Sequence, residues 1–263
     1  MNKTAKKLEI GNVELYDFGD IKLHAYQTND PLADEVYIFE KYGHAAIVES
    51  PAFHTGVKEL EWYINNLNLK IDGILLAYHM AAGGEFLKDA RKYTTKNTEE
   101  YSLNGGGKAL NDNFTNIFGE NFDSTAHKAT DYIGEGPITI AGIEFQISLT
   151  QDAFDIFVPE ININYIHMLG HDCHSIIAGE KHADLIIEQL EGFIDNDSVL
   201  ILNSHHTPEN CDDAKMKINY INDIKATALS SKDADSFKQS IKQKYSNYTG
   251  ENYLDMTTGF FFA

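Results

Sequence analysis

Eleven histidines are spread unevenly over the 263 residues of this chain, and three groups of them follow apolar, β-branched runs. His79 follows Ile71–Leu76. His167, His171 and His174 follow the run that starts at Ile163, and His205 and His206 follow Ser198–Leu202. Imidazole changes charge near neutral pH and, when neutral, offers a lone pair to a metal, so such loops carry either acid–base or ligand chemistry. Buried strands that lie side by side and point the same way bring their terminal loops to one edge, where the backbone is rigid and side chains face a crevice. Asp172 adds a carboxylate. His79, Asp172 and His205, together with His171 or His174, make a nitrogen and oxygen set of the size that zinc takes while leaving a position for water. Water activated by the metal attacks a carbonyl or similar centre. Without a metal, Asp172 beside a histidine serves as a general base on water. Cys173 next to His174 pairs a thiol with an imidazole, although adjacent side chains seldom face one another.

The plainer reading of these residues is structural. Histidines at strand ends often only hydrogen-bond loop carbonyls, and Asp172 is placed to cap the following turn. His167 alternates with Ile166 and Met168, which predicts a ring turned toward the core. For His24, His44, His54, His127 and His182, packing or surface roles are expected, and Cys211 is expected to pack at the start of a helix.

The elements that position these groups are legible from periodicity. Val13–Phe18, Ile21–Tyr26, Glu35–Phe39 and His44–Glu49 read as successive strands, punctuated by Gly19-Asp20, Asn29-Asp30-Pro31 and Tyr42-Gly43. Gly56–Leu67 carries Val57, Leu60, Ile64 and Leu67 on one helical face, and the strand at Ile71 follows. Gly83-Gly84 then leads into a helix expected near Glu85–Ala90. Thr98–Phe122 reads as helical with a break at Gly105-Gly106-Gly107. Those glycines precede Lys108, but G-x-x-x-x-G-K-[ST] is not met, so the cluster reads as a helix break rather than a phosphate loop.

A second run of strands covers 129–133, 137–140, 143–149, 154–158 and 163–167. A helix at His182–Ile194, a strand at Ser198–Leu202 and helices near Asp212–Leu229 and Asp233–Tyr245 complete the pattern. The apolar tail Gly259-Phe260-Phe261-Phe262 is expected to be a last strand or a plug on the core. An exposed tail would be explained first by a homodimer contact.

Composition narrows the classes. A hydrophobic fraction of 43% and a mean hydropathy of −0.34 describe a globular chain with no run long enough to cross a bilayer. A net charge of −19 argues against nucleic acid as a partner. Arg91 is the sole arginine, so bidentate phosphate clamps are scarce. Two cysteines make no disulfide framework, and MNKTAKKLEIGN holds no apolar signal segment. Together they predict a cytoplasmic protein.

The stretch Lys70–Gly84, KIDGILLAYHMAAGG, resembles the signature segment of the metallo-β-lactamase-fold superfamily, in which a buried strand runs into Thr-His-x-His-x-Asp-His-x-Gly-Gly. Counting back from Gly83-Gly84 sets Tyr78, Met80 and Ala81 at the family's His, Asp and His. With a shortened loop, His79 takes one of the ligand positions instead. Gly170-His171-Asp172 is similar to the family's Gly-Asp pair, which makes Asp172 the equivalent of the bridging carboxylate. Cys173 neighbours the place where lactamases carry a cysteine. His205 or His206 matches the last histidine. Thr150–Phe154 stands where a Gly-His-Thr turn is usual, with Asp152 as the one substitute.

The resemblance spans essentially the whole chain and implies an α/β fold, a single four-layer αββα sandwich over residues 1–263. It implies a small-molecule substrate, at most one zinc or other divalent transition metal on His79, His171, Asp172, His174 and His205, and hydrolysis of a small ester, lactone, thioester or amide, with Asp172 and His79 as catalytic groups. The site in this expectation is mononuclear or even metal-free, and the second expectation is a catalytically inactive relative that binds a small molecule or a protein. A two-iron redox centre needs more carboxylate and histidine ligands than these.

Overall fold

The computed structural model describes residues 1–167 and 170–262, which divide into two compact units, 1–167 with 204–207 and 170–203 with 208–262. The first unit opens with β1 (Asn2–Lys7), β2 (Asn12–Asp17), β3 (Ile21–Gln27), β4 (Glu35–Lys41) and β5 (His44–Val48). Helix α1 (His54–Leu67) and β6 (Lys70–Leu75) follow, then β7 (Lys92–Thr94), α2 (Lys96–Asn104), α3 (Gly106–Phe118) and β8 (Asp131–Tyr132). These eight strands form one sheet in sequence order. It is antiparallel through β5 and parallel from β5 to β8. In the second sheet, β9 (Gly136–Ile140), β10 (Ile143–Leu149), β11 (Phe154–Val158) and β12 (Ile163–Ile166) make an antiparallel meander.

Strand β4 shows why the first unit is layered. Side chains along a strand alternate between faces. Val36 and Ile38 belong to the cluster that α1 closes with Val57, Leu60 and Ile64. Tyr37 and Phe39 point the other way and meet Tyr165 and Phe145 of the second sheet edge to face, at centroid distances of 5.8 and 5.5 Å. Burying each such side chain contributes about 1.5–3 kcal/mol.

The second unit holds α4 (Glu180–Asp195), β13 (Leu200–Asn203), α5 (Cys211–Ser230), α6 (Ala234–Lys244) and α7 (Glu251–Phe261). Asn210 and Asp213 form a reciprocal capping box at the start of α5, and Asp233 with Ser236 forms one at α6.

One expectation is corrected, a second is narrowed to one of its two readings, and one strand is unannounced by the sequence. No helix forms at Glu85–Ala90; the segment 83–89 is turn. Leu87 has a φ of 41°, and the Lys92 ammonium collects the carbonyls of Leu87, Lys88 and Ala90 that a helix would have used internally. The Phe260–Phe262 tail is not a strand, because it ends the amphipathic helix α7. Phe261 and Phe262 do plug against Phe237. The chain also begins with a strand, β1, whose six residues are all exposed and carry no apolar alternation to announce it. The break at Gly105 is as expected, and Tyr101 packs against it so closely that a Cβ on Gly105, Gly106 or Gly107 would lie within 3.0 Å of that residue.

Candidate metal centre

Three loops of the first unit bring His79, His167 and His205 together, with one ligand atom from each inside a mutual distance of 4.8 Å. His79 follows β6, His167 follows β12, and His205 sits in the segment 204–207. The anchor of this arrangement is Glu49, at the end of β5. It is fully buried, with a φ of 73°. Its Oε1 accepts the Tyr78 N–H at 2.8 Å and the Tyr165 hydroxyl at 2.6 Å, and its Oε2 accepts the His79 N–H at 2.7 Å. The Tyr165 hydroxyl gives its only proton to Glu49, so Ser204 Oγ, 2.8 Å away, donates to it. One carboxylate thus ties all three histidine-bearing loops. Burial pushes Glu49 up to about 7, although the Tyr165, His79 and Tyr78 donors pull the other way.

The rings themselves are crowded. His205 Nε2 lies 3.3 Å from His167 Nε2. His79 packs against His205 at 4.8 Å and His167 at 5.5 Å between centroids, and Tyr78 stacks on His167 at 4.7 Å and 26°. The Tyr78 hydroxyl is fixed in turn by Asp155 Oδ1 at 2.5 Å.

Behind the rings lies the buried carboxylate of Asp34, whose Oδ1 is 3.2 Å from His205 Nδ1 and 3.8 Å from His79 Nδ1. His205 Nδ1 also donates to the Leu32 carbonyl at 3.0 Å. That contact fixes the proton on Nδ1 and aims the Nε2 of His205 at the cluster.

Electrostatics follow from this packing. Burial holds His79 down at about 4; Asp34 opposes this and His205 reinforces it. The His167 residue reaches the surface, but its ring is shielded by Tyr78, His79 and His205. That loss of water, with repulsion from the two other imidazoles, keeps it well below the ordinary imidazole range. For His205 burial acts downward, yet Asp34 and the Leu32 carbonyl outweigh it and the ring sits above that range. Burial likewise pushes Asp34 up, and His79 and His205 more than reverse it.

The residues fit a single metal ion. Two nitrogens bound at about 2.0–2.1 Å to a tetrahedral ion stand about 3.3 Å apart, which matches the Nε2–Nε2 separation of His167 and His205. His79 Nδ1 and Asp34 Oδ1 are buried atoms that complete no hydrogen bond among the described residues. A carboxylate behind a ligating imidazole is the usual outer partner of such a site. The cluster is also reachable, since the His167 residue is exposed and the side chains of His79 and His205 are 16% and 20% exposed.

The expected residues are thus sorted. His79 and His205 meet as the spacing suggested. His167, expected in the core, is the third member. His171 and His174 lie in the second unit. There His171 is clamped by Glu209, whose Oε1 takes both its N–H at 2.6 Å and its Nδ1 at 2.7 Å. His174 is buried against Tyr220, with Nδ1 3.0 Å from the hydroxyl. Asp172 is exposed on the same segment. The Cys173 thiol is pushed up by burial and donates to the Gly170 carbonyl at 3.2 Å, so it is no thiolate nucleophile. Cys211 opens α5 as expected. Asp34, Glu49 and Tyr165 were not singled out by spacing. A glutamate closing an otherwise apolar strand, Ala45-Ala46-Ile47-Val48-Glu49, is the signal that was present.

No protein-family model and no curated protein matches the sequence. Solved structures do. The chain is similar to the DIM-1 metallo-β-lactamase at 16% identity, with a TM-score of 0.54 over 82% of this chain and 99% of that one. It is similar to a metallo-β-lactamase family protein of Thermus thermophilus at 12% identity and a TM-score of 0.58, covering 89% and 91%. The inverting sec-alkylsulfatase Pisa1 of a Pseudomonas species matches at 15% identity and 0.56, covering 90% of this chain and 46% of that one. At these identities the likeness establishes the fold, and the chain has the metallo-β-lactamase fold anticipated from Lys70–Gly84. Among the described residues, no helix is long and apolar enough to cross a membrane.

Proposed function

We propose that this protein is a hydrolase with a mononuclear site on His79, His167 and His205, acting on a small ester, lactone, thioester or amide. The single observation that carries the reading is the convergence of three imidazoles on one point, with Asp34 behind two of them. A divalent ion such as zinc, held there, supplies Lewis-acid polarisation of the scissile group and activates water at neutral pH. The chain's own residues do the rest. Burial and the neighbouring imidazoles hold His79 and His167 below the ordinary imidazole range, which favours the neutral form that offers a lone pair. The Leu32 carbonyl holds His205 in one tautomer, with the Asp34 carboxylate 3.2 Å behind the same nitrogen. Glu49, Tyr165 and Ser204 keep the three loops in register, which is the preorganisation that a site of this kind needs.

The acidic surface disfavours nucleic acid as substrate, so a small molecule is the partner in this proposal. The test combines elemental analysis of protein purified without added metal, a zinc and cobalt titration, and a panel of the four substrate classes. The reading expects about one metal per chain and hydrolysis that His205→Ala abolishes. Absence of metal binding, or turnover unchanged by His205→Ala, rejects it. Metal binding without turnover on any class would instead indicate a binding protein.

A further inference from the structure

A second site in the first unit uses none of these residues. A groove of about 510 Å³ runs between one face of α1 and the chain leaving β1. Thr55, Lys58, Glu59 and Trp62 recur on α1 three or four residues apart, so they share that face, and Lys6 and Lys7 line the facing wall. Among the described residues, none of Lys6, Lys7 and Lys58 pairs with a carboxylate, so their charges are left to the groove. Two acids also line the groove: Glu9 is exposed and offsets one of the three lysine charges, whereas Glu59 is turned inward. Its Oε2 accepts the Ile10 N–H and its Oε1 the Gly11 N–H, both at 2.6 Å, while the Tyr26 hydroxyl donates to Oε1 at 3.0 Å. Helix α1 has no side-chain cap and no acid in its first turn, so its positive end adds to the same potential. Trp62 is 55% exposed, with the Lys6 ammonium 5.9 Å from its ring centroid.

We infer that this groove binds a small organic anion with a flat apolar body, the ring lying along Trp62 and the anionic group between Lys6, Lys7 and Lys58. Lysines serve such a group as mobile point charges, and an indole offers a broad apolar face. The site is independent of the histidine cluster, so either can fail without the other.

Trp62 is the only tryptophan in the chain, and its indole N–H gives a single NMR signal that reports on the groove. The probes are naphthalene-2-sulfonate and its neutral counterpart 2-naphthylmethanol, added to the whole protein and followed by that signal and by calorimetry. The sulfonate is expected to shift the indole signal and to bind at least about tenfold more tightly than the alcohol, with affinity falling as salt rises. The exposed pair Lys6→Gln and Lys58→Gln is expected to remove that advantage while leaving the fold and any hydrolysis unchanged. Equal binding of the two probes, sulfonate binding that survives the lysine changes, or no indole shift at millimolar probe overturns the assignment. So does binding to phosphatidylglycerol vesicles without any response to the sulfonate, which would make the patch a lipid-surface contact.

Discussion

The Tyr165 hydroxyl donates to Glu49 Oε1 across 2.6 Å, and this one contact joins the strand before His167 to the carboxylate that holds the backbone of His79. Replacing Tyr165 with Phe leaves Glu49 one donor short in a buried setting and releases Ser204. Tyr165→Phe is expected to cost about 1–3 kcal/mol of stability. It should also weaken zinc binding by roughly tenfold, as loss of an outer partner does. Chemical denaturation and a competitive zinc titration measure the two effects. Unchanged zinc affinity would show that the loops do not depend on this tie.

His167 separates a ligand from a core residue. As an exposed member of the cluster, His167→Ala should change stability by less than about 1 kcal/mol while lowering zinc affinity at least tenfold. A buried ring removed from the core would instead cost about 3–5 kcal/mol. Parallel melting and metal titration distinguish the two outcomes.

Asp34 is buried, with Oδ1 3.2 Å from His205 Nδ1. Asp34→Asn keeps the volume and removes the charge, and is expected to reduce metal affinity roughly 10–100-fold. Retention of full affinity would mean that the Leu32 carbonyl alone is enough to fix the His205 tautomer.

Gly83 marks the close approach anticipated from the paired glycines. Its N–H donates to the Thr125 carbonyl at 2.8 Å, and an added Cβ would lie 2.4 Å from the His127 nitrogen and 2.5 Å from the Ala126 carbonyl carbon. Backbone cannot give way as a flexible side chain does. Gly83→Ala is therefore expected to destabilise the protein by about 1–3 kcal/mol, while Gly84→Ala, whose Cβ would meet only the Asp123 and Thr125 side chains at 3.3 Å or more, should cost less.

Lys217 supplies the pH signature of the second unit. It is 2% exposed and donates to the carbonyls of Gly170 at 2.8 Å and Cys173 at 3.1 Å, and burial brings it down to about 8. The unfolded chain holds this proton up to about 10.5, so between pH 8 and 10.5 the unfolded state binds more protons and stability rises with pH. The shift corresponds to about 3 kcal/mol. In denaturation at pH 7.5 and 9.5, the wild-type chain should gain stability relative to Lys217→Met. A difference that does not change with pH would rule the coupling out.

Much of this architecture could be read from the chain, because β-strand and amphipathic-helix periods are local. The meander from Val13 to Val48 and the helices at 180–195, 211–230 and 234–244 were visible as patterns. What escaped depended on distant partners. The turn at 83–89 exists because of the Lys92 ammonium, and the exposed strand β1 has no apolar face to betray it. The same holds for the site. Strand-end histidines suggested convergence, but alternation alone set His167 facing the core, since the strand stops at Ile166 and alternation no longer governs the next residue. Asp34 and Glu49 act through contacts with residues 29 to 171 positions away, beyond the reach of any spacing rule.

Helices α2 and α3 fill the crossover between β7 and β8, and no residue of α3 is fully buried. Phe114 and Phe118 of α3 pack on the cluster containing Ala81, next to the loop of His79. None of His79, His167, His205, Asp34, Glu49, Tyr165 or Ser204 comes from it. Helix α3 can thus drift or lengthen without disturbing the scaffold that aligns the imidazoles, whereas residues 122–127 cannot, because their backbone braces Met80, Ala82 and Gly83 beside His79.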